Sequence, residues 1–339
     1  MTRFVRAFVA ASMASAVYSA PAWAETTVWN FNVFGPPRAI TAAIETMSEF
    51  YKKESNGSLE IKIAYGASLG PERQAPESIK SSGYEGALMC AGYYPNKFPL
   101  LMVMELPFLP PRSILDNAKV NQAILNHPLI VKEMGERWNI KYFAPTFLPA
   151  FEFMGNKRIS SVNDMRGVKM RIAGLNAKAL QVFGAVPTMV TAPEGYEALQ
   201  RGTIDSFGFP YSFAFGAYKL HEVSKYATEG MAMSGFLCFQ GVSLAAWNKL
   251  PENLKAKLPQ AQELAGAALL KAFKADDEKW IPLFKQKLEV VQFPSEERAK
   301  LVAASSDIWE EWVKEQEAAG RPGREILNFV KGEVAKYTH

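Results

Sequence analysis

The sequence predicts an α/β protein made of two lobes, with strands and one long helix crossing between them. Two observations carry this expectation. Hydrophobic periods of strand and helix type alternate as β-α-β-α-β over residues 28–91, and again more loosely over 168–209. No Gly- or Ser-rich linker separates the two units, so the chain must pass between them in regular structure. A chain of 339 residues also favours two domains over one.

The elements follow in order. A strand at 28–34 is succeeded by Pro36-Pro37 and a helix over 39–53, in which Ile40, Ala43, Ile44, Met47 and Phe50-Tyr51 share one face. Asn56-Gly57 stops that helix. Residues 59–65 alternate with period two, as a half-buried strand does. A short helix near 72–81 and an apolar strand at 86–91 complete the first unit. Strands at 140–147 and 151–155 lead out of it. The second unit is expected as strand 168–173, helix 176–183, short strand 188–190, helix 193–201 and strand 204–209. A further strand-like run at 234–246 is long enough to cross back. After it come a helix from 259 to about 288, kinked by Pro282, a strand at 290–293, a helix to about 319 and a last one over 324–336. The predicted division is 1–24 as a leader, 25–147 plus about 237–276 as domain I, and 148–236 plus about 277–339 as domain II.

The leader assignment rests on Arg3 and Arg6, the small and apolar run at 7–20, and Ala22-Trp23-Ala24. This is the pattern of a secretory signal, cleaved after Ala24. Its apolar part falls short of the roughly 20 residues that span a bilayer. Loss of the leader lowers the formal charge from +4 to +2. A chain so near neutrality is not expected to bind nucleic acid. Cys90 and Cys238, the only cysteines, sit in apolar strand-like runs. Buried thiols are the first expectation there, with a single disulfide as the alternative in an oxidising compartment.

Catalytic signatures are missing together. His127, His221 and His339 are the whole histidine supply, and no two are spaced as metal ligands. There is no nucleophile elbow, no phosphate-binding Gly-x-x-x-x-Gly-Lys loop and no Gly-x-Gly-x-x-Gly. The expectation is a non-enzymatic binding protein, with no cofactor and no metal, that closes on a small ligand.

A resemblance sharpens this. Gly155-Asn156-Lys157-Arg158-Ile159 followed by Asp164-Met165-Arg166-Gly167-Val168-Lys169-Met170-Arg171 is similar to the DctP-type solute-binding proteins of tripartite ATP-independent periplasmic (TRAP) transporters. Gly66-Ala67-Ser68-Leu69-Gly70, Glu105-Leu106-Pro107-Phe108-Leu109, Tyr196 to Gly202 with Ile204-Asp205, and Trp247 to Pro251 match in the same order. The resemblance implies a periplasmic-binding-protein-like fold with the ligand in the interdomain cleft. It also implies a periplasmic location, a sodium-driven membrane permease as partner, and a monomer. A receptor for an ATP-driven importer or a sensor is the alternative reading, with a secreted enzyme behind it.

In that family the arginine ending the Gly-x-Lys-x-Arg strand pairs with the substrate carboxylate, which places Arg171 in this role, facing an open cleft. A planar fork of donors suits such a contact. Two departures bear on the ligand. Where sialic-acid-type members carry a second arginine, this chain has Glu152, expected to hold Arg171 or to reach a ligand hydroxyl. A family Glu-Asn-Pro reads Gly208-Phe209-Pro210, with Phe213 and Phe215 close behind. Polar anchors are thus exchanged for aromatic surface, which favours a small monocarboxylate with an apolar or aromatic body, although core packing is the alternative for Phe209. The remaining candidates are Asn32 at the end of strand one, Phe34 and Arg38 in the loop after it, and Asn156. Tyr93 and Tyr94, beyond the third strand, stand where open α/β sheets bind ligands, and Arg73 is the last candidate.

Overall fold

The computed structural model describes residues 26–172 and 174–337. The leader assigned to 1–24 lies outside them. The first lobe is entered through β1 (Thr27–Asn32), β2 (Leu59–Ala64), β3 (Gly86–Cys90) and β4 (Ile140–Ala144). The chain then builds β5 (Phe151–Gly155), β6 (Lys169–Arg171), β7 (Val186–Pro187), β8 (Ser206–Pro210) and β9 (Tyr226–Met233). It returns through β10 (Cys238–Ser243) and ends its strands with β11 (Glu289–Gln292). These form two mixed sheets, one ordered β2-β1-β3-β10-β4 and the other β11-β9-β5-β8-β6-β7.

Local chemistry explains the elements. In the helix Ala42–Glu54, Ala43, Ile44, Met47 and Tyr51 are buried against the first sheet and the long helix Leu258–Lys287. Asn56 and Gly57 take left-handed backbone angles and stop it. Leu59 and Ile61 of β2 point inward while Lys62 points out. β3 is buried along its whole length, as a central strand covered on both faces must be. The long helix runs through Pro282 without a break. The predicted helix up to 319 is instead two, Ser295–Ala303 and Ser306–Ala318. Between them Ser305 is buried and turns its hydroxyl back to the Leu301 carbonyl.

Three further differences have physical causes. The strand expected at 188–190 lies at Val186–Pro187, because the Val190 carbonyl is taken by a side chain rather than by the sheet. β9 escaped the sequence because Gly230 and Ala232 interrupt its alternation with positive backbone φ. The helix Ile114–Leu125, which carries no strong periodic signal, is started by Ser113, whose hydroxyl accepts from the Asp116 amide.

Cys90 and Cys238 stand opposite each other on antiparallel β3 and β10 and are joined as a disulfide. This overturns the first expectation of two buried thiols. That both runs are apolar and strand-like was readable, but their register was not. The bond closes a loop with a sequence separation of 148. Replacing both cysteines by alanine should lower unfolding free energy by about 2–4 kcal/mol. Chemical denaturation of oxidised and Cys-free protein measures this, and coincident curves would refute it.

Candidate functional site

The strands deliver the C-terminal ends of β1, β3, β6 and β8 to the seam between the lobes. Phe34, Arg38, Ile40, Cys90 and Tyr93 of the first lobe meet Phe151, Ala192, Phe209, Pro210, Phe213, Ala214 and Tyr218 of the second, with Leu148, Phe236 and Cys238 from the crossing segments. They enclose a cavity of about 30 Å³, so the lobes are closed on one another. The wall is aromatic. Phe209 lies 5.6 Å from Tyr218, Phe34 lies 5.9 Å from Tyr93, and Phe151 lies 5.0 Å from Phe236 between ring centroids.

Arg171 sits directly behind this wall with none of its surface exposed. Its Nε donates to the Val190 carbonyl at 3.0 Å, Nη1 to the Gly208 carbonyl at 3.0 Å and Nη2 to the Tyr93 hydroxyl at 3.2 Å. The guanidinium also lies 4.3 Å from the Phe207 ring centre and 5.2 Å from that of Phe209. No carboxylate among the described residues forms an ion pair with it. Burial disfavours the cation and lowers its pKa, against smaller opposing effects from Tyr93, Tyr218 and Glu105. The expectation of an arginine facing an open cleft is therefore corrected. Its fork is seated among carbonyls and rings, bridged to the first lobe by one tyrosine.

Tyr93 has a second partner, because its hydroxyl also accepts from the Ala192 amide at 3.2 Å. With two N–H groups already on its oxygen, its own proton remains to be donated. Among the described residues, two of the five guanidinium N–H donors of Arg171 are likewise without an acceptor. Together they make a cluster of donors whose chemistry is complementary to an anion.

The other candidates divide. Phe34, Phe209 and Phe213 line the cavity; Phe213 also packs on Phe273 at 4.9 Å. Phe215 turns away toward Phe284. Asn32 is buried elsewhere, where its amide donates to the Gly70 carbonyl and its oxygen accepts from Leu69, so it pins the 66–70 turn. Tyr94 gives its hydroxyl to the Glu72 carbonyl and packs on Phe98. Asn156 binds the Val223 carbonyl. Arg73 is not part of the wall and lies 5.8 Å from the Tyr93 ring centre. Glu152 neither holds Arg171 nor reaches the cavity. Both its oxygens accept from β9 amides, those of Met231 and Ala232, at 3.1 Å, and thereby fasten the irregular stretch of that strand.

Sequence reasoning missed the aromatic wall contributed by Phe151, Phe236 and Tyr218, which lie at the start of β5, on a crossing segment and at a helix end. It also missed Glu105. This carboxylate is fully buried beside Gly92 and Gly174, and neither oxygen has a hydrogen-bond partner among the described residues. A Cβ on either glycine would collide with it. Burial raises its pKa to about 8, with the Gly92 amide and the Arg171 charge pulling the other way. A lone Glu in the apolar run Leu101 to Leu109 was the available signal.

A family model described as "bacterial extracellular solute-binding protein, family 7" (DctP) matches residues 33–316. The chain belongs to the DctP family. These are TRAP solute receptors, which bind solutes rather than transform them and work with membrane permeases. A solute-binding protein of Verminephrobacter eiseniae is 30% identical to this receptor over 192 residues, 55% of each chain, so the match spans about half of that relative's length. The C4-dicarboxylate-binding periplasmic protein DctP of Rhodobacter capsulatus is 26% identical over 98% of this chain and 99% of its own. Among solved structures, a marine-metagenome TRAP solute-binding protein specific for aromatic acids, in complex with 3-hydroxybenzoate, superposes with a TM-score of 0.80. It shares 23% identity and covers 93% of this chain and 100% of its own. The two-lobed α/β fold expected from sequence is thus that of the DctP-family receptors. Among the described residues no helix is long and apolar enough to cross a membrane.

Proposed function

We propose that this receptor binds a small organic monocarboxylate with an aromatic or apolar body and delivers it to a sodium-driven permease. The observation that carries the reading is Arg171, a fully buried guanidinium that among the described residues has unused donors and no carboxylate partner, set behind a wall of phenylalanines. A buried charge is stable only when paired, and the spare N–H pair with the Tyr93 O–H suits the two oxygens of one carboxylate. The rings then take the ligand body, where a polyhydroxylated sugar acid would leave hydroxyls without partners. Solute enters as the lobes part and Tyr93 releases Arg171. It drives closure through its higher affinity for the closed form. The crossings near 147–148 and 236–237 serve as hinge, and the mature periplasmic chain begins at Glu25 as a monomer.

A thermal-shift and calorimetric panel tests this. Benzoate and 3-hydroxybenzoate should raise the melting temperature and titrate one to one, whereas succinate and D-glucuronate should not. Binding confined to the latter two would defeat the aromatic reading. Uptake by intact cells should also collapse on adding a sodium ionophore; uptake that persisted would point to an ATP-driven partner.

A further inference from the structure

A second polar pair faces the cavity. The Tyr218 hydroxyl is shielded from solvent and makes no hydrogen bond among the described residues. Beside it, the Arg38 guanidinium lies 5.0 Å from the Phe34 ring centre and 5.5 Å from that of Tyr218. One Arg38 nitrogen donates to the Pro36 carbonyl at 2.8 Å, and among the described residues no ion pair involves this arginine. Gly35 makes the approach possible, since a Cβ there would strike the Tyr218 hydroxyl and crowd the Arg38 Nη1. Arg38 and Phe34 come from the first lobe and Tyr218 from the second, so the pair exists only when the lobes are closed.

A buried hydroxyl without a partner is disfavoured, and a binding cavity is where such a group finds its partner in a ligand. We propose that Tyr218 and Arg38 form a subsite for a hydroxyl carried on the ligand at a distance from its carboxylate, so that the preferred solute class is hydroxylated aromatic acids. This rests on the monocarboxylate reading above and narrows it. Burial raises the Tyr218 pKa to about 12, so the phenol keeps its proton and serves as donor and acceptor at neutral pH. A ligand hydroxyl can donate to the Tyr218 oxygen and accept from Arg38. An unsubstituted ring would leave both unmet. Sites built to hydrogen-bond a hydroxyl discriminate strongly against the analogue that lacks it.

Calorimetric titration of wild-type, Tyr218→Phe and Arg38→Ala proteins with benzoate, 3-hydroxybenzoate and isophthalate decides the matter. Wild type should bind 3-hydroxybenzoate at least tenfold more tightly than benzoate. Tyr218→Phe should cancel that advantage, bringing the ratio of the two affinities to within about twofold of one. Arg38→Ala should reduce the same ratio by a smaller factor. Benzoate bound as tightly as 3-hydroxybenzoate by wild type would overturn the subsite while leaving the monocarboxylate reading intact. So would Tyr218→Phe weakening both acids equally, or weakening neither. Isophthalate bound most tightly, with that preference lost in Arg38→Ala, would replace the hydroxyl by a second carboxylate and overturn the proposal. Absence of binding by all three acids would overturn the subsite and the parent reading together.

Discussion

Arg171→Ala should lower affinity for 3-hydroxybenzoate by about two to four orders of magnitude. Stripping one partner from a buried ion pair costs roughly 3–5 kcal/mol, and each 1.4 kcal/mol is a factor of ten. Arg171→Lys should fall between, since it keeps the charge and loses the planar fork. The geometry adds a second effect. Arg171 holds the Val190 and Gly208 carbonyls and reaches across to Tyr93, so alanine also leaves buried acceptors unmet. A loss of about 1–3 kcal/mol in the unliganded protein is expected. Titration must therefore use protein shown to be folded by circular dichroism. An affinity within threefold of wild type removes Arg171 from the site; a large affinity loss with unchanged unfolding would contradict the packing role alone.

Glu105 should make stability fall as pH rises. Its folded pKa, about 8, lies above the ordinary value of 4.5, so folding takes up a proton between those limits. Below pH 4.5 the carboxyl is neutral in both states and burial carries no charge penalty. Above pH 8 it is ionised in both, and the penalty is complete. The shift corresponds to roughly 3–5 kcal/mol lost across the window. Glu152, raised to about 7 by burial against its backbone hydrogen bonds, contributes with the same sign. Glu105→Gln isolates the effect: denaturation at pH 5 and pH 8 should differ by several kcal/mol less in the variant than in wild type. An identical difference in both proteins would show that the Glu105 carboxyl does not titrate in that window.

How much of this was legible in the sequence differs by element. The helix Ala42–Glu54 and strand β2 were readable because one face of each is buried and the period shows it. β9 was not, since its irregular stretch is held by Glu152, a residue 79 positions away from Met231. Arg171 was marked by the strand motif that ends in it, and Phe34, Tyr93, Phe209 and Phe213 by their place beyond strand ends or beside Pro210. Asn32, Tyr94 and Asn156 occupy similar positions, but their polar atoms are satisfied by neighbouring backbone. Which polar group is already partnered depends on distant chain segments, and a single sequence does not display that. Tyr218 shows the converse, because only the folded arrangement reveals that its hydroxyl has no partner among the described residues.

The Cys90–Cys238 bond also gives the molecule a topology. Every residue from 91 to 237 lies on a closed covalent ring, including Tyr93, Arg171, Phe209 and Tyr218. β1, β2 and the long helix hang outside it as two tails. A single backbone cut anywhere on the ring opens it without releasing a fragment, so a nicked chain keeps its full mass until a reductant is added. A cut in either tail severs a piece at once. Most of the residues that meet at the cavity are thus held on the part of the chain that one break cannot separate, whereas Phe34, Arg38 and Ile40 reach it from the N-terminal tail.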